Sequence, residues 1–381
     1  MSTEAVVAAI KESAESRTPL RIAGRGTWLD AGRPVHADRT LSLRDDTGVV
    51  SYVPGDLTLT VRAGTSLSEI ERITREHDQW LPLDPYGSTD GTIGATIATA
   101  SAGPLASGFG LPRDLVLGLE FVNGRGDVIR GGGKVVKNVA GFDLSRLLTG
   151  SWGTLGVITE VTLRLYGLPK MERTVMIPLI GGEKEVESII RAIVLSPLAP
   201  LALQLISASA AQALSLRPYP VCLIRFGGNE AVVRAQIDAL SRVSKPEEME
   251  SSVWNRLRQL EANAHTTVRI SGLPQKFLNS AAMIVRDDIS LIYTFIDPRS
   301  GSLRVVLRSE DRHGQHEMAT IGLEDNAPHG TEATHITVEK LPADMWRLVS
   351  PSVVDDPISQ GLKRKYDPHN ILNPGILGDL T

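Results

Sequence analysis

The sequence predicts an α+β fold. Three observations carry that expectation. Residues 131–165 run through a turn, a short helix, a glycine-spaced loop and a strand; strand patterns crowd residues 40–63; and helical and strand patterns alternate through residues 171–340. A chain of 381 residues is too long for one small core and implies two or three domains, placed here at 1–170, 171–345 and 346–381. With 42% hydrophobic and 22% charged residues the composition is that of an ordinary soluble protein. A net charge of -4 without an extended Lys/Arg run argues against a nucleic-acid or anionic membrane surface. The one small basic cluster, Lys363-Arg364-Lys365, reads as a solvated helix face. Cys222 is the only cysteine, which excludes an internal disulfide and an iron–sulfur cluster ligated by this chain alone. The polar start MSTEA has no signal-peptide pattern, and no stretch reaches the roughly 18 apolar residues of a membrane span. The expected location is therefore the cytoplasm.

From the N-terminus, residues 3–15 read as a helix capped by Thr3, with Val6, Val7, Ile10 and Ala14 along one side and Pro19 as its stop. Leu20, Arg21 and Ile22 form a short strand that enters Ala23-Gly24-Arg25-Gly26-Thr27. Two glycines flanking one residue leave backbone N–H groups for an anion-binding concavity, and serve equally as an ordinary tight turn. The loop lacks the third glycine of a dinucleotide-binding fingerprint and the lysine of a phosphate-binding P-loop, so neither fold is supported. Strands follow at 40–43, 49–53 and 58–63, closed by Gly64. Ser66 and Glu69 make a capping-box pattern for a helix striped by Leu67, Ile70 and Ile73. Residues 81–103 are rich in Gly, Ala, Ser and Thr. Such small side chains permit a backbone to lie against a large planar cofactor, with hydroxyls from Thr92, Thr96, Thr99 and Ser101, or else make a tightly packed small-residue helix.

A hairpin runs from Leu115 to Val122, turns at Asn123-Gly124-Arg125-Gly126 and returns through Val128 and Ile129. Within residues 131–165 Asp143 caps a helix whose Leu144, Leu147 and Leu148 share a face, and Gly150 marks its stop. Gly153 and Gly156 lack a Cβ, which admits a flat or anionic ligand close to the backbone; a glycine turn without a ligand fits the same pattern. Val157, Thr159, Val161, Leu163 and Leu165 then alternate with Glu160, Thr162 and Arg164 as a half-buried strand.

The Gly24/Gly26 loop, TIGATIATASAG, LPRDLVLGLEFVNGRGDVIRGGG and GSWGTLGVITEV together resemble the FAD-binding domain of the vanillyl-alcohol oxidase, or PCMH-type, family. More narrowly, KNVAGFDLSRLLTGSWGTLGVITEVTLRL at 137–165 and DPHNILNPGIL at 367–377 resemble the E subunits of bacterial glycolate oxidases. The likeness is close over 18–168 and at the C-terminus, and faint between. It implies a two-subdomain FAD platform, an α+β cap domain over 171–345 and a C-terminal segment returning to the flavin domain. The implied cofactor contacts are Ala23, Gly24, Arg25, Gly26 and Thr27 with Thr92, Ile93, Gly94, Thr96, Thr99, Ser101 and Gly103 for the pyrophosphate. Arg113 and Asp114 match the family's RD pair, and Gly153, Thr154, Gly156, Val157 and Ile158 match the loop along the ribityl chain and ring. Family members that attach FAD covalently commonly carry a histidine in the first loop; its absence here implies noncovalent FAD.

The cap is expected to hold helices at 183–195, 228–242, 250–262 and 274–284, and strands at 201–206, 221–226, 267–271, 290–296 and 302–308. His313, His316, His329 and His335 fall in a short span without standard zinc spacing and read as exposed-loop residues. No metal site and no catalytic base are assigned, although Arg225 and Arg269 stand as cap residues able to supply a cation. In many relatives a cation follows the Asn373-Pro374-Gly375 turn, whereas here the position is Ile376. The resemblance thus implies an FAD-binding subunit of a 2-hydroxy-acid (glycolate) oxidase complex, with a larger flavoprotein subunit and an iron–sulfur subunit as partners and the acid bound by the partner. A stand-alone FAD-dependent oxidoreductase acting on a 2-hydroxy acid or alcohol is the alternative, and a flavin-free scaffold a remote one.

Overall fold

The computed structural model describes residues 2–133, 143–262, 264–286, 292–308, 335–349 and 357–378. They divide into two compact units. Met1–Ala102, Gly110–Leu168 and Trp346–Thr381 form the first; Gly103–Phe109 and Pro169–Met345 form the second. Among the described residues no helix is long and apolar enough to cross a membrane.

The first unit contains a parallel pair, β1 (Leu20–Ala23) and β2 (Arg39–Ser42), and a five-stranded antiparallel sheet. The sheet strands are β3 (Val49–Val53), β4 (Thr58–Arg62), β6 (Val116–Val122), β7 (Val128–Gly132) and β8 (Val157–Arg164), with β5 (Gln79–Trp80) pairing β9 (Tyr166–Gly167) apart from it. Strand order is β3-β4-β8-β6-β7, so the strand that follows the Gly153/Gly156 loop is central. The inward residues of β8, Val157, Thr159, Val161 and Leu163, are fully buried, as the alternation predicts. Ile158 is also buried, so the first part of the strand is covered on both faces.

Two local expectations change. Helix Thr3–Ser16 is capped by Ser2, whose hydroxyl accepts from Ala5 N–H, while Thr3 is its first helical residue. The Thr3 hydroxyl instead donates to the buried Glu120 carboxylate at 3.0 Å, a partner 117 residues away that no local pattern reveals. The Lys363-Arg364-Lys365 cluster is not a uniformly solvated face either. Lys363 is largely buried and donates to Asp367 (2.9 Å) and to the carbonyls of Thr154 (3.1 Å) and Leu372 (3.3 Å).

The second unit is built on an eight-stranded antiparallel sheet. Its strands are β10 (Met171–Pro178), β11 (Ala202–Ile206), β12 (Val221–Gly228), β13 (Glu247–Met249), β14 (Ala264–Ser271), β15 (Ile292–Asp297), β16 (Ser302–Arg308) and β17 (His335–Lys340), in the order β13-β10-β12-β11-β15-β16-β14-β17. Helices Glu183–Val194, Glu230–Leu240 and Pro274–Ser280 share its apolar core through Val186, Ile190, Val233 and Phe277. The sequence reading misses β10, β13, β17 and helix Ala208–Ala213. Of the histidine quartet, His313, His316 and His329 lie outside the described residues, and His335 opens β17.

Candidate cofactor site

The first unit holds a solvent-open cleft of about 880 Å³ whose walls are three short segments brought together by β1. One is the loop that continues β1 through Gly24–Leu29. The second is helix Ile93–Thr99, which presents Thr92, Ala95, Ala98 and Thr99 along one side, at the spacing that puts small residues on a single face. The third joins Trp152, Gly153 and Gly156 to Asn373 and Ile376 from the C-terminal segment.

Asn373 joins that wall to the rest. Its Oδ1 accepts from Ile22 N–H at 2.7 Å, its Nδ2 donates to the Trp152 carbonyl at 2.7 Å, and its own N–H donates to the Leu20 carbonyl at 3.0 Å. The residue adopts φ 45, a left-handed conformation that asparagine tolerates better than most side chains. Asp367 fixes the approach to it, accepting from Ile371 and Leu372 N–H and from Lys363.

The electrostatics of the cleft come mainly from backbone. Among the described residues no N–H from Arg25 to Leu29 has a protein partner, and Gly26 at φ +77 turns the chain within that run. Consecutive unpaired N–H groups beside a cavity form a concavity suited to an anion. Helix Ile93–Thr99 contributes differently: Ile93 and Gly94 N–H donate to the Thr65 and Ala63 carbonyls and Ala95 N–H to Thr92 Oγ1. Its N-terminal donors are consumed by the protein, so it offers a smooth flank. Arg21 and Arg25 are the cationic side chains on the lining; Arg21 donates to the Leu29 carbonyl and Arg25 is exposed.

Of the residues singled out in the sequence, Ala23, Gly24, Arg25, Gly26, Thr27, Thr92, Gly94, Thr99, Gly153, Gly156 and Ile158 line the cleft. Ile93 and Val157 point into the core. Thr96 and Thr154 are buried with their hydroxyls donating to the Thr92 and Ser151 carbonyls, and Ser101 is buried with its N–H on the Thr96 carbonyl. Arg113 and Asp114 are exposed on the short helix Pro112–Leu115, where Asp114 accepts from Leu111 N–H at 2.9 Å; Gly103 belongs to the second unit. The reason for two glycines also differs from close ligand approach. A Cβ on Gly156 would lie 2.5 Å from Phe121 Cδ2, and one on Gly24 2.2 Å from Thr92 Oγ1. Both are glycine because protein packs there. Sequence reading misses Trp28, Trp152, Ala95, Ala98 and Asn373; the bulky apolar Trp152 among Gly150, Ser151 and Gly153 is the one legible hint.

The residues present fit a flavin dinucleotide: backbone donors for a pyrophosphate, a small-residue flank and an apolar end. The fold is that of a PCMH-type FAD-binding domain, residues 1–132 match the FAD-binding domain family, and with its relatives this makes the chain an FAD-dependent oxidoreductase. Over 170 residues, 44% of this chain and 48% of the relative, it is 40% identical to glycolate oxidase subunit GlcE of Escherichia coli (strain K12). It is 28% identical to glycolate oxidase subunit GlcD of Bacillus subtilis (strain 168) over 397 residues, 95% of this chain and 84% of that one. Among solved structures, p-cresol methylhydroxylase with substrate bound superposes at a TM-score of 0.75 with 16% identity, covering 99% of this chain and 87% of that one, which establishes the fold.

Other candidate groups are engaged elsewhere. Arg225 pairs with Glu172 at 2.6 Å and Arg269 with Glu339 at 2.7 Å. Cys222 is buried in the second core, and burial pushes its thiol far above the usual range. Among the described residues no group of three or more His, Cys, Asp or Glu is arranged to hold a metal ion.

Proposed function

We propose that the chain is the FAD-carrying subunit of a multi-component dehydrogenase for glycolate or a related 2-hydroxy acid. In this reading a larger flavoprotein subunit binds the acid and an iron–sulfur subunit receives the electrons. Bound FAD supplies two-electron acceptance and onward release. The chain's part is to hold it: N–H groups of Arg25–Leu29 on the pyrophosphate, and the flank from Thr92 to Thr99 along the dinucleotide. Among the described residues, those lining the cleft include no histidine, cysteine or tyrosine, which supports noncovalent binding.

The observation that carries the proposal is the composition of the cleft's lining. The loop Arg25–Leu29 presents unpaired N–H donors, and among the described residues the cations on the lining are Arg21 and Arg25, whereas the cluster of Trp28, Ala31, Trp152 and Ile376 beside that loop is apolar. A substrate carboxylate placed there would lose water without gaining a counter-charge. Similarity to subunit GlcE supports the same reading. The full-length similarity to GlcD favours the alternative, a self-contained oxidoreductase for a 2-hydroxy acid. An anaerobic half-reaction separates them. Isolated flavoprotein mixed with glycolate, D-lactate and related acids is expected to keep its flavin absorbance until the partner subunits are added. Rapid, saturable bleaching by one acid without partners overturns the subunit assignment and leaves the self-contained enzyme.

A further inference from the structure

The apolar end of the cleft is an ordered wall. Trp28 and Trp152 lie with ring centroids 5.9 Å apart and planes inclined by 31°, backed by Ala31, Ile376, Val35 and Leu377. Trp152 adopts φ 53, a left-handed conformation that a bulky side chain enters only when its surroundings impose it. The constraint is visible in its bonds. Its N–H donates to the Ala98 carbonyl of the helix flank at 2.8 Å and its carbonyl accepts from Asn373 Nδ2 of its own wall at 2.7 Å. Behind it, Gly32 has no room for a Cβ, because Ile376 Cγ1 would be 2.6 Å away and Trp152 Cζ3 3.1 Å. The strained backbone therefore sets a fixed indole at the cleft beside Trp28. Trp28 itself belongs to the loop with the unpaired N–H groups.

We propose that Trp28 and Trp152 form an aromatic clamp for one of the two ring systems of FAD, the flavin or the adenine. The inference rests on the FAD reading of this cleft and assigns to the wall the part the backbone donors cannot perform. Those donors recognise any pyrophosphate. Two tilted indoles on an apolar backing favour a flat heteroaromatic ring, which gains offset stacking there. Because Trp28 lies within the anion-binding run, ring and pyrophosphate of one dinucleotide are gripped by adjacent residues.

The test uses the full chain stripped of flavin, with W28F, W28L, W152F and W152L. FAD binding is measured by ultrafiltration, and the circular dichroism and melting of each apoprotein are recorded. Leucine variants are expected to bind FAD about tenfold more weakly, and phenylalanine variants within about threefold of the unaltered chain, since stacking survives the smaller ring. Competition with FMN and with ADP then assigns the ring: the clamp grips the flavin if the leucine changes weaken FMN, and the adenine if they weaken ADP. Leucine variants that bind FAD like the unaltered chain overturn the clamp alone, as do leucine and phenylalanine variants that weaken it equally. An unaltered chain that binds no FAD overturns the FAD reading and the clamp together. Should Trp152 variants fail to fold, the half-buried Trp28 pair decides by the same comparison.

Discussion

Asn373 and Gly156 show how single residues shape the cleft without offering any reactive group. Replacing Asn373 by alanine orphans Ile22 N–H and the Trp152 carbonyl, and should cost about 2–4 kcal/mol with loss of bound flavin. Asn373→Gly keeps the left-handed backbone and should recover only the conformational part, which thermal melts and flavin occupancy of the two variants will resolve. Gly156→Ala drives a Cβ against Phe121 and the Val122 carbonyl, with an expected loss of about 1–3 kcal/mol. Because the clash is with the core, adding Phe121→Leu should restore much of the melting temperature. No recovery in the double variant would place the glycine's role in the cleft instead.

At the scale of elements, β6 and β8 set Glu120 directly opposite Glu160, a like-charge pair that needs support. Arg62 lies 3.2 Å from Glu160, while Glu120 accepts from Thr159 (2.8 Å), Thr3 (3.0 Å) and Arg130 (2.5 Å). Burial alone pushes the Glu120 carboxyl up, and these donors outweigh it and hold it below its ordinary range. A carboxyl with a lowered folded-state pKa adds stability above its unfolded pKa and loses it as pH falls through the folded value. Glu120→Gln should therefore cost about 1–2 kcal/mol at neutral pH, allowing for the exposed Arg130, and the gap between the two melting curves should close below the usual carboxylate range. The longer strands of the first unit were legible in the sequence because most carry β-branched residues and are bounded by Gly, Pro or Asp, whereas the two-residue strands β5 and β9 offer no such pattern. Strand Met171–Pro178 was not, since a short apolar run after charged residues has no decisive period. The cleft was half legible. Its glycines announce themselves, but what a missing Cβ faces is decided by a strand distant in sequence, as Phe121 is for Gly156. The threonine hydroxyls read as ligand groups turned out to cap or bond their own helix.

For the whole molecule, the cleft and the eight-stranded sheet belong to different compact units. Adding FAD to the apoprotein should slow amide hydrogen exchange at Arg25–Leu29 and leave the central strands of the second unit unchanged. The cofactor should come free on acid precipitation, giving a yellow supernatant and a colourless pellet. Uniform protection of both units, or flavin that stays with the pellet, would contradict the expected local, noncovalent attachment.

The junction of β1 with Asn373 also has a consequence for biosynthesis. Ile22 and the side chain it bonds are separated by 351 positions. At roughly 5–20 residues per second, a ribosome needs about 20–70 s to make the second partner after the first. For that interval the nascent chain has its glycine loop but lacks the residue that anchors it. Flavin loading is therefore expected to follow translation of the closing segment, and a chain truncated before Asn373 to retain less flavin than the full chain, as the absorbance of the two purified polypeptides will show.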